Sequence, residues 1–154
     1  MTIELSPPGV PALALEHLLL DVNGTLSDRG TLLDGVAARI EVLRALIEVR
    51  LISADTFGTM DAIARTLAVA ATRLGEGREK LELVNKLGRD RCAVIGNGRN
   101  DALALEAATL GIAIVGPEGA SSAALRCADV VCASVNDALD LLLDTRALAA
   151  TLRA

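Results

Sequence analysis

The 154-residue chain falls in the size range of one ordinary domain. Its composition, 52% hydrophobic with Phe57 as the single aromatic residue, dictates a core of Leu, Ile, Val and Ala. A formal net charge of -5 and the lack of aromatic platforms exclude a nucleic-acid binder, which needs a basic stripe or rings on which bases stack. Cys92, Cys127 and Cys132, with His17 as the sole histidine, offer neither a disulfide framework nor zinc-ligand spacing and suit a reducing cytoplasm.

Residues 1–15 hold Pro7, Pro8 and Pro11 around Gly9 and predict an edge strand or hairpin arm. Glu4 and these prolines stand where a signal peptide would carry a basic and then an apolar region, so none is expected. The first apolar run, HLLLDV over 17–22, reads as a strand. Glu16, His17 and Asp21 keep it from becoming a membrane span, which needs about eighteen apolar residues. A helix over 35–46 follows, with Val36, Ile40, Leu43 and Ile47 along one side. Further strands are predicted at 48–53, 68–73, 91–96, 111–115 and 129–132. Helices are predicted at 57–66, 78–88, 100–109, 120–126 and 135–143, with a short last helix after Asp144. This alternation predicts a single domain over 1–154: an α/β three-layer α/β/α sandwich around a doubly wound, mainly parallel sheet. No repeat or linker divides it.

Ligands of such sheets bind beyond the carboxyl ends of the strands, near the point where strand order reverses. Three polar clusters fall there: Asp21-Val22-Asn23-Gly24-Thr25, Ser53-Ala54-Asp55 and Gly96-Asn97-Gly98-Arg99-Asn100-Asp101. Each has an ordinary reading when taken alone. Asn23-Gly24 is a hairpin-turn signal, a serine at a strand end is commonplace, and Lys80 on an amphipathic helix could be a solvated charge. Their order along the chain argues for a site.

LLLDVNGTL, Ser53, Lys80 in KLELVNKL, and GNGRNDALAL resemble, in order, the four motifs of the haloacid dehalogenase superfamily, and most of all its small capless proteins akin to a soluble P-type ATPase phosphorylation domain. The resemblance implies an Mg²⁺-dependent phosphohydrolase or phosphotransferase with Asp21 as aspartyl nucleophile. It implies Asp21, the Asn23 backbone carbonyl and Asn97 as metal ligands, and Ser53, Lys80 and Asn100 as donors to a phosphoryl group held near Gly24, Thr25 and Ala54. Asp101 would orient Lys80 or a metal-bound water. Lys86 competes with Lys80, but six residues are about 600° of helical rotation, so only one of the two can face the site.

Two positions depart from the family pattern. Asn23 stands where most of these phosphatases have a proton-shuttling Asp, and loss of a general acid–base typically costs a factor of about 10² to 10⁴. The expected substrate therefore has a good leaving group, such as a nucleoside triphosphate or an acyl phosphate, and a phosphoenzyme should persist. Asn97 replaces a metal-binding Asp, so Mg²⁺ affinity should fall. The alternative is a catalytically weak phosphate- and Mg²⁺-binding regulatory module, a pseudoenzyme. The stretches from Gly24 to Gly35 and from Ser53 to Lys80 are too short for a cap domain. An open site calls for a phosphorylated substrate, small molecule or protein, that covers it, or for a neighbouring subunit. Aliphatic faces on so small a domain would suit a homo-oligomer. No membrane partner is expected.

Overall fold

The computed structural model describes residues 1–154. The arm at the start is an antiparallel hairpin, β1 (Ile3–Leu5) and β2 (Leu13–Leu15), rather than an edge strand of the main sheet. Ile3, Leu5 and Leu15 are buried, and the Ala154 N–H donates to the Pro8 carbonyl at 3.0 Å, which fastens the arm to the chain's other end.

β3 (His17–Asp21) comes next, its Leu18-Leu19-Leu20 run buried on both faces as a central parallel strand must be. A small hairpin, β4 (Ser27–Asp28) and β5 (Thr31–Leu32), follows the loop over residues 22–26. It lies between the first predicted strand and the first predicted helix, where the sequence marked only the Asn23-Gly24 turn. Its turn sits at Arg29-Gly30, both at positive φ, whereas Asn23-Gly24 forms a tighter turn in which the Thr25, Leu26 and Ser27 N–H groups all point to the Val22 carbonyl.

The remaining elements are α1 (Val36–Leu43), β6 (Glu48–Ser53), α2 (Met60–Leu67), β7 (Ala70–Arg73), α3 (Gly77–Leu87), β8 (Cys92–Gly96), α4 (Ala102–Ala107), β9 (Leu110–Ile114), α5 (Ser122–Cys127), β10 (Val130–Cys132), α6 (Val135–Leu143) and α7 (Thr145–Thr151). Each of the six expected strands is present. They form one sheet in the order β10-β9-β8-β3-β6-β7, parallel throughout. After β3 the chain runs outward through β6 and β7, then returns to lay β8 on the other side of β3. Strand order reverses there, so the crevice lies beyond the ends of β3 and β8.

Some helix ends differ from expectation for local reasons. α1 closes early because Ala45 and Leu46 bond to carbonyls three residues back, a tighter winding. α2 starts at Met60, not 57, because Asp55 and Gly58 take positive φ and the Asp55 carboxylate accepts the Met60 N–H at 2.9 Å. α2 ends with Ala68 left-handed, which delays β7 to Ala70. A 3₁₀ turn over Arg99–Asp101 replaces the first turn expected of α4.

Alternate residues of the strands feed two cores. Leu18, Leu20, Leu51 and Ile95 face a larger one, closed by α1, α2, α6, α7 and the β1–β2 hairpin. Leu19, Ile52 and Val94 face a smaller one, closed by α3, α4 and α5. The result is a three-layer α/β/α sandwich, with no domain inserted between β3 and α1 or between β6 and α3. No helix is long and apolar enough to cross a membrane.

Candidate active site

The ends of β3, β6 and β8 converge on a cleft of about 210 Å³. Asp21, the last residue of β3, forms its floor and is only 6% exposed. Lys80, on α3, is fully buried beneath it: its Nζ lies 3.0 Å from Asp21 Oδ1 and 2.6 Å from Asp101 Oδ1. Lys86, on the same helix, points to solvent.

Asp101 is also fully buried. Its Oδ2 accepts the N–H groups of Asn97 at 3.1 Å and Gly98 at 2.9 Å, so one carboxylate fixes both the lysine and the loop after β8. Gly96 makes room for it, since a Cβ there would lie 2.5 Å from Asp101 Oδ2.

Two carboxylates thus share one ammonium in a dry setting. Burial, followed by the charge of Asp101, pushes the Asp21 carboxyl up to about 7 against the opposing pull of Lys80. For Lys80 burial is the largest single influence and disfavours its charge. Asp21 and Asp101 together outweigh it and raise the ammonium's pKa.

Around this triad the other expected residues take distinct places. The Ser53 hydroxyl accepts the Asp55 N–H at 2.9 Å, which leaves its own proton to donate into the cleft beside Ala54. Thr25 is fully buried, and its Oγ1 lies 3.4 Å from Asp21 Oδ2 and 3.3 Å from Asn97 Oδ1. Gly24, at φ 76, carries the backbone past Asn97 in a conformation that side chains disfavour. Asn23 and Asn100 line the wall, with the Asn100 Nδ2 bonded to the Gly75 carbonyl at 3.3 Å.

Asn97 does more than the sequence suggested. Its Nδ2 donates to the Gly119 carbonyl at 3.0 Å and its backbone carbonyl accepts the Ser121 N–H at 2.8 Å, which clamps the loop after β9. Thr56 and Glu118 also line the cleft, and sequence reasoning passed over both. The signal that could have found Glu118 is the Gly116-Pro117-Glu118-Gly119 turn just beyond the end of β9.

Asp21 Oδ2 and Asn97 Oδ1, which lie 3.4 and 3.3 Å from the Thr25 hydroxyl, form a hard oxygen-donor set, and Asn23 lines the same cleft. No group of three or more His, Cys, Asp or Glu side chains accompanies them. Such a set fits Mg²⁺, which keeps several waters and takes few protein ligands, and does not fit zinc.

No protein-family model matches the chain. An uncharacterized protein of Methanocaldococcus jannaschii is 44% identical over 78 residues, which are 48% of this chain and 84% of that protein. Among solved structures, 3-deoxy-D-manno-octulosonate 8-phosphate phosphatase from Moraxella catarrhalis, in complex with magnesium, phosphate and KDO, matches 84% of this chain and 86% of its own at 21% identity, TM-score 0.65. The cobalt-bound deoxy-D-mannose-octulosonate 8-phosphate phosphatase of Haemophilus influenzae matches 86% and 90% at 16% identity, with the same TM-score of 0.65. At these identities the likeness is one of fold. A zinc-transporting PIB-type ATPase in its E2.Pi state is 30% identical over 77% of this chain, TM-score 0.65, but this chain covers only 19% of that pump.

Proposed function

The chain belongs to the haloacid dehalogenase superfamily by fold and to one family with the M. jannaschii protein, and from that premise we propose a phosphohydrolase or phosphotransferase that works through an Asp21 phosphoaspartate. The observation that carries the reading is the buried Lys80 held between Asp21 and Asp101. It ties up Asp21 Oδ1, while Oδ2 lies 3.4 Å from the Thr25 hydroxyl.

Asp21 Oδ2 attacks phosphorus, the bond to the leaving oxygen breaks, and an acyl phosphate forms on the carboxylate. Ser53 and Asn100 hold the transferring group, and the Lys80 ammonium balances its charge from below. Asp101 keeps Lys80 in place. Asp21, the Asn23 carbonyl and Asn97 would hold Mg²⁺, which would supply charge compensation for the phosphoryl oxygens. The Asn23 side chain cannot protonate a leaving oxygen, so low-pKa leaving groups, a nucleoside diphosphate or a carboxylate, suit the site.

Incubation with γ-labelled ATP or labelled acetyl phosphate plus Mg²⁺ should give an acid-stable, hydroxylamine-labile phosphoprotein. Asp21→Asn should abolish the label, and Lys80→Ala should lower it by about 10²-fold, the loss typical of one charge-stabilising group. Asn23, and an Asn97 whose amide is engaged by Gly119, favour a second reading: a phosphate- and Mg²⁺-binding regulatory module. Label missing from the wild type, with phosphate and Mg²⁺ still bound in calorimetry, would decide for that module.

A further inference from the structure

We infer that Glu118 is the general base that activates water against the Asp21 phosphoaspartate, the task that Asn23 cannot perform. The inference rests on the phosphoaspartate reading above and goes beyond it. Asp21 and Glu118 carry the only ionisable side chains on the cleft wall. With Asp21 converted to its acyl phosphate, Glu118 is the one free carboxylate left on that wall.

Glu118 is exposed at the cleft, on a turn that the fold holds in place. Gly116 to Gly119 closes as a turn, the Gly119 N–H bonding to the Gly116 carbonyl at 2.9 Å. Asn97 grips the turn through Gly119 and Ser121. Two glycines let it approach the nucleophile loop. A Cβ on Gly116 would stand 2.6 Å from the Gly24 carbonyl oxygen, and a Cβ on Gly24 would stand 3.0 Å from Glu118 Oε2. The Glu118 carboxylate therefore lies against the residue next to Asn23. No lysine, arginine or histidine pairs with it.

In the step assigned to it, Glu118 takes a proton from water as the water oxygen bonds to phosphorus. The bond from phosphorus to the Asp21 oxygen breaks, its electron pair returns to the carboxylate, and inorganic phosphate leaves. Glu118 then releases its proton to solvent, so atoms and charge balance without another reagent.

The test follows the lifetime of the label. Wild type, Glu118→Gln and Glu118→Asp are labelled with ³²P-acetyl phosphate and Mg²⁺, then chased with unlabelled acetyl phosphate. The expected result is a label that forms in Glu118→Gln but decays about 10² to 10⁴ times more slowly, the loss typical of a missing general base. Glu118→Asp should decay at an intermediate rate. Decay at the wild-type rate in Glu118→Gln overturns the inference and leaves the phosphoaspartate reading standing. A slower decay matched by an equal loss of Mg²⁺ affinity in calorimetry also overturns it, because the carboxylate would then act through the metal. A wild type that takes no label overturns both.

Discussion

At the scale of single residues the site is governed by unequal charge: Asp21 and Asp101 face one ammonium, all three largely or wholly out of water. Asp21 carries the strain, its carboxyl pushed from 3.8 up to about 7 by burial first and by Asp101 second. Between those two pH values the folded chain holds a proton at Asp21 that the unfolded chain has released. Stability attached to this group is therefore complete below about pH 4 and is lost as the pH rises through about 7. Asp21→Asn keeps the shape and stays neutral at every pH. In EDTA it should melt above the wild type at pH 8, with the difference shrinking toward pH 4. A difference independent of pH would mean that Asp21 is not held protonated by its surroundings. Mg²⁺ should bind more tightly as pH rises across the same window, because a metal ligand must lose its proton.

Secondary-structure elements place these residues, and here Asn97 changes meaning. As a sequence substitution it read only as a lost metal-binding charge. In the folded chain its amide nitrogen is the clamp on the turn that presents Glu118, a donor role that aspartate cannot fill. Asn97→Asp should therefore lose about 1–3 kcal/mol of stability in EDTA, since a donor to Gly119 is removed and a charge is set beside Asp21. The same variant should bind Mg²⁺ more tightly, which calorimetry measures. Equal affinities would take Asn97 out of the metal site. The strands and the motif residues at their ends were legible because an apolar run such as HLLLD depends little on what lies far away in the chain. The start of α2 was not, because it is decided by Asp55, which takes a left-handed backbone, caps the Met60 N–H and pairs with Arg73 from a strand eighteen residues on. Glu118 was hidden for a similar reason: its approach to Gly24 comes from β9 pairing with β8 and β8 with β3, a tertiary fact with no local mark.

For the whole molecule, the two cores on either side of the sheet divide the labour. The larger core reaches the cleft through Leu20 and Val22, which flank Asp21, but the β1–β2 hairpin joins it just before β3, at the strand end opposite Asp21; the smaller core seats α3, which carries Lys80, and α4, which follows Asp101. Leu15 and Leu105 are both fully buried, Leu15 in the larger core and Leu105 on α4 in the smaller one. Truncation of either to alanine should destabilise the protein by about 2–5 kcal/mol, measured by denaturant titration. Their effects on phosphoaspartate formation should diverge. Leu15→Ala should label like the wild type per folded molecule, because Leu15 lies before the start of β3, at the opposite end of that strand from Asp21. Leu105→Ala lets α4 settle toward the void, and Asp101, just before that helix, moves with it. A displacement near 1 Å can cost about 10²-fold in a reaction that depends on alignment, so labelling should fall well beyond the loss of folded protein. Equal labelling in the two variants would show that the triad is positioned by its own ion pairs, independently of the core beneath it.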